Sequence, residues 1–177
     1  MNNEAGTKIS RSQAFVQSII ALIAKNKGVA AALKRADNPA TEYQCWEYLA
    51  AFNIDLEKPW ERLPFATVAA AIAKEKSAHN GSEGIGKAIA KCYDDGSQSD
   101  QAKAKLRRLL ACDSVEEACR ILRPLFSLIA SRGNSSIDYA RLLEQLLKFH
   151  WESERIKSQW AQEFYHQSSS SAKLEAA

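Results

Sequence analysis

The stretch KLRRLLACDSVEEACRILRPLF, residues 105–126, decides how this chain is read. It sets four arginines and a lysine among leucines and cysteines, in a run of helix-forming residues. At about 100° per residue, Leu106, Leu109 and Leu110 share one helix face. Lys105 and Arg108 then fall on the opposite side, about 60° apart, while Lys103 and Arg107 flank the apolar stripe. Ser114 and Glu117 stand at capping-box spacing and open a second helix towards Arg132. Its buried face is Val115, Leu122, Leu125, Phe126 and Ile129, and Arg120 and Arg123 are expected to point outward. Pro124 lacks a backbone N–H, so it is expected to kink or split this helix.

The same reading extends along the chain. Its 177 residues are 46% hydrophobic and carry few glycines and prolines, which gives material for a core and favours an all-α fold. Turn signals separate helices expected at about 12–26, 28–36, 41–52, Pro64 to Ala78, 85–93, 100–112, 114–132, 139–150 and 152–165. We expect eight or nine helices in two small bundles packed together. The polar break DDGSQSD divides a lobe of residues 1–97 from one of 98–167. Residues 168–177 end in SSSSAKLEAA, a low-complexity stretch expected to be a disordered tail or a cloning remnant. AFVQSIIALIA, residues 14–24, is interrupted by Gln17 and Ser18 and is too short to cross a membrane. It reads as an amphipathic core helix, and a cytoplasmic chain with no membrane partner is expected.

Catalytic chemistry finds little support. Cys45, Cys92, Cys112 and Cys119 have no C-x-x-C spacing and no histidines at ligand spacing, so they read as reduced, buried thiols. His79, His150 and His166 are scattered, and Asp94 and Asp95 lie in a polar turn. GSEGIGK has the gap of a phosphate loop between Gly81 and Gly86, but Lys87 is followed by Ala88 and no strand precedes it. No cofactor, metal or small-molecule substrate is therefore expected. Trp46, Trp60, Trp151 and Trp160 sit among apolar neighbours and are expected in the core, with Ile156, Trp160 and Phe164 as an i, i+4, i+8 ridge.

Charge carries the functional signal. The net charge is only +3, yet residues 25–35 hold four cations and no acid, as do residues 101–112. GVAAALKRA buries Val29, Ala32 and Leu33 and turns Lys34 and Arg35 outward. Three helices thus export a basic pair, a pattern suited to phosphates, with affinity falling by a log–log slope of about −0.7 to −0.9 per contact as salt rises. Ordinary surface ion pairing stays open, because Glu116 lies four residues before Arg120 and Asp113 is near. A helical protein–protein adaptor without nucleic-acid contact is the alternative function, and an enzyme would need a bound metal or nucleotide.

The order of motifs adds to this. GVAAALKRADNP, GIGKAIAK, KLRRLLACDSVEEACRILRPLFSLI, IDYARLLEQLLKFH and RIKSQWAQEFY follow one another over about residues 28–165. In that order and spacing they resemble the CasB family, the small subunit of the type I-E CRISPR surveillance complex, Cascade. Lys105 stands where the family usually has Arg, Tyr139 where it has Trp, and Pro124 follows Arg123 where a helix turn might continue. The resemblance implies a two-lobed helical subunit without catalytic activity, present as a pair beside the backbone and large subunits of the complex. It implies binding to backbone without sequence specificity, stabilising the R-loop of guide RNA and target DNA and holding the displaced single strand. By matching position, Lys34, Arg35, Lys87, Lys105, Arg108 and Arg123 would contact phosphate. Arg107 and Arg120 join that set from the helical projection.

Overall fold

A computed structural model describes residues 8–133 and 136–166. The described residues form α1 (Arg11–Lys25), α2 (Lys27–Lys34), α3 (Trp46–Ala51), α4 (Pro59–Glu75), α5 (Ile85–Ala90), α6 (Asp100–Leu110), α7 (Val115–Arg132) and α8 (Tyr139–Tyr165). Short 3-10 turns occupy Arg35–Asp37, Glu42–Cys45 and Gly96–Gln98. The fold is all-α, as the residue mix implies. Side-chain caps fix several starts. Ser10 and Gln13 form a reciprocal capping box at α1. At α7, Ser114 Oγ accepts the Glu117 N–H at 3.1 Å, and Glu117 Oε2 accepts the N–H of Asp113.

The central element is α4, in which Pro64 to Ala73 are all buried. A helix apolar all round must be enclosed, and α1, α2, α7 and α8 pack around this one. It starts at Pro59, earlier than expected, because Pro59 fits the first helical position where an N–H has no partner anyway. Pro64 lies inside the helix, and the carbonyl it leaves unpaired belongs to Trp60 in the exposed first turn. Pro124 likewise does not split α7, which runs unbroken for 18 residues. Arg120, whose carbonyl would have met the missing N–H, shares an exposed ridge with Pro124, so water can satisfy it.

The last helix is a hairpin. Glu152 has non-helical angles (φ −119°, ψ 21°) inside α8. Arg141 and Glu163 form an ion pair at 2.5 Å, although 22 residues of straight helix would hold them about 33 Å apart. Gln145 bonds both Gln159 and Trp160, and Phe149 stacks on Trp160 at 5.9 Å. The two arms, 139–151 and 153–165, therefore run antiparallel, matching the two helices expected from the sequence.

The glycine-rich segment has a structural purpose. Gly81 and Glu83 donate N–H bonds to the Ile137 and Ser136 carbonyls, and Asp138 donates back to Glu83. Asn80 bonds both Asp138 and the Tyr139 N–H. A Cβ on Gly81, Gly84 or Gly86 would overlap Ser136, the Glu163 carboxylate or the Trp160 carbonyl oxygen, respectively. What resembles a phosphate loop is a seam where α5 lies against the α8 hairpin with no room for side chains.

One connected cluster of buried apolar residues takes members from both sides of the expected boundary at 97/98. DDGSQSD itself winds into the 3-10 turn at Gly96–Gln98 before α6. Residues 168–177, expected to form a tail, lie outside the described residues. The tryptophans correct the expectation of core packing. Trp160 is fully buried, but Trp46, Trp60 and Trp151 are 36%, 53% and 67% exposed. Trp46 is held at the surface by its N–H to Glu42 and by Arg62 over its ring, Trp60 occupies an open first turn, and Trp151 sits at the bend of the hairpin.

Candidate nucleic-acid interface

On α6, Leu106 and Leu109 are buried and Lys105, Arg107 and Arg108 are exposed, as the helical projection requires. Lys105 and Arg108 border a cleft of about 190 Å³ between α6 and α7. Ile121, Leu125 and Leu128 give it an apolar wall, and Tyr93 closes it from the segment after α5. The Arg132 guanidinium lies 5.8 Å from the centre of the Tyr93 ring, a cation–π distance, and brings a third cation to this place. Arg107 projects from another side of α6 and does not line the cleft.

α7 also presents a polar ridge. Its exposed ridge runs through Arg120, Pro124, Ser127 and Ser131. Lys74 Nζ on α4 bridges Asp37 at 2.8 Å and Ser127 at 2.9 Å, so the turn holding Arg35 and Asp37 is tied through α4 to Ser127 of α7. Arg35 is exposed and bonds Gln44, and Lys34 is half-buried. Lys34, Lys105, Arg107 and Arg108 have no ion pair among the described residues. Arg120 is exposed, with a long contact of 3.5 Å to Glu117. Such an exposed pair contributes about 0.2–1 kcal/mol.

One expected residue is placed differently, and another keeps a long ion pair. Arg123 does not point outward: its side chain is only 12% exposed and lies 3.5 Å from Glu42, which also takes Arg62 at 2.8 Å. Glu42 is almost fully buried, and a buried carboxylate needs paired cations, which draws Arg123 inward. Lys87 is 3.5 Å from Glu83, which also pairs with Lys91. Arg132 and Tyr93 were not singled out from the sequence. The available signal was a cation in the last turn of α7 just before Gly133, where the helix dipole also favours positive charge.

The remaining chemistry is quiet. The four cysteines are free and buried, and burial pushes Cys45 and Cys119 up to about 12 and raises Cys92 and Cys112. Such thiols stay protonated and poorly nucleophilic. Among the described residues no group of three potential ligands is placed to hold a metal ion, and no helix is long and apolar enough to cross a membrane.

The described residues thus form an all-helical fold in which two cations without an ion pair among those residues stand beside an apolar cleft. The family profile described as CRISPR-associated protein Cse2 matches residues 29–165, and the chain belongs to that family. The CasB likeness read from the motif order is thereby borne out. Solved structures share the fold. The CasB of M. ruber is 24% identical with a TM-score of 0.74, covering 94% of this chain and 99% of that one. A Cse2-family protein from Thermus thermophilus is 22% identical with a TM-score of 0.73, covering 88% and 97%. A chain from a CRISPR RNA-guided surveillance complex is 21% identical with a TM-score of 0.70, covering 94% and 96%. No curated protein sequence matches significantly.

Proposed function

We propose that this chain is the small, non-catalytic subunit of a type I-E CRISPR surveillance complex, Cascade, and that it holds nucleic-acid backbone without reading sequence. Its partners are the backbone and large subunits, a second copy of itself, and the R-loop of guide RNA and target DNA with its displaced strand, all in the cytoplasm. The family membership and the likeness to a chain of a CRISPR RNA-guided surveillance complex support this reading. The observation that supports it is the position of Lys105 and Arg108 at the edge of one cleft, with no carboxylate partner among the described residues. The contacts proposed are Lys34, Arg35, Lys87, Lys105, Arg107, Arg108 and Arg120; Arg123 is turned inward onto Glu42. R-loop formation exchanges one duplex for another of similar stability, so a few backbone contacts can tip the balance.

A salt titration of filter binding to single-stranded and duplex DNA tests this. The expected log–log slope is several negative units, reduced in magnitude by about one to two when Lys105→Ala and Arg108→Ala are combined. No binding at about 50 mM salt would sink the proposal. It would favour a protein–protein adaptor, a reading the exposed Tyr43, Trp46 and Trp60 also support as a docking face within the assembly.

A further inference from the structure

We propose that the α6–α7 cleft receives one unstacked nucleobase of a single-stranded nucleic acid, with the flanking phosphates on Lys105 and Arg108. This rests on the backbone-holding function proposed above and adds what the cleft itself would select. A surface built only to hold phosphates needs cations on a solvated face. Here the two cations instead border a recess of about 190 Å³ with Ile121, Leu125 and Leu128 along its wall.

That volume is below the roughly 300–1,000 Å³ of pockets for drug-sized ligands, and suits a single flat ring system. Tyr93 supplies an aromatic ring at the same place, and Arg132 lies over that ring. Flat, weakly hydrated π-faces beside positive charge are the chemistry that single-stranded bases meet in sequence-tolerant binding sites. Bases within a duplex are stacked on one another and cannot enter without being extruded. The cleft therefore distinguishes an open strand from a closed one, whichever base is presented.

Fluorescence anisotropy with the full chain tests this, using a labelled single-stranded oligonucleotide, the same strand with all bases removed, and the blunt duplex. The wild-type protein is expected to bind the base-bearing strand about 5- to 150-fold more tightly than the abasic strand, the range for one stacked base. Tyr93→Leu, which keeps an apolar side chain in place, is expected to remove most of that advantage without changing the salt slope or duplex affinity. If the wild-type protein binds abasic and base-bearing strands equally while Lys105→Ala with Arg108→Ala still weakens both, the base slot is wrong and the backbone track stands. If that double substitution changes nothing, the track fails and the slot with it.

Discussion

The indole N–H of Trp160 donates to Gln145 Oε1 at 2.9 Å, fifteen residues back along the chain and on the facing arm of α8. Trp160 is fully buried, so this bond is the means by which its one polar group tolerates the core.

Gln145→Leu should therefore lower stability by about 1–3 kcal/mol, the cost of a buried donor left without an acceptor. Urea unfolding measures it. Trp160→Phe in the same background removes the stranded donor, so the pair together should cost less than the two single changes summed.

Gly86→Ala adds a Cβ that overlaps the Trp160 carbonyl oxygen and comes within 2.9 Å of the Phe164 backbone nitrogen. The neighbours are backbone and cannot turn aside. A loss of about 1–3 kcal/mol is expected despite alanine's better helix propensity, and thermal melting with circular dichroism checks it.

Arg123→Ala separates a structural cation from a binding one. Removing it leaves buried Glu42 to pair with Arg62 alone of these two arginines, so the urea midpoint should fall by an amount equivalent to about 1–3 kcal/mol. The salt slope of nucleic-acid binding should stay as in the wild type. A slope smaller in magnitude by about one would mean that Arg123 touches phosphate after all.

Glu163 gives a pH signature. Burial raises its carboxyl above the ordinary 4.5, with Arg141 and the Gly86 N–H opposing that shift. Below pH 4.5 the group is protonated in both states. As pH rises from 4.5 through the raised folded value, the unfolded chain ionises first and the folded state loses stability. Glu163→Gln cannot ionise, so its melting temperature relative to wild type should climb over that interval. A difference that falls with pH would contradict the assignment.

The helical periodicity of α6 and α7 was legible because a one-sided helix repeats its burial every turn: Leu106, Leu109, Leu122 and Leu125 are buried as read. The two arms of α8 were legible for the same reason. Arg123 was not, because a projection shows which way a side chain leaves its helix but not that Glu42, 81 residues earlier, waits there. The tryptophans misled because an apolar ring can stay at the surface when a charge covers it, as Arg62 covers Trp46. Arg132 was invisible as a binding residue because its significance comes from Tyr93, 39 positions away.

The α8 hairpin joins residues 11 to 22 positions apart, whereas the seam of Gly81, Gly86 and Ile137 joins segments separated by more than 50. Short loops close at lower entropic cost. The hairpin should thus be an early folding unit on which the glycine seam later docks. Folding kinetics should give high φ-values at Gln145 and low ones at Gly86, and the reverse order would show that the seam forms first.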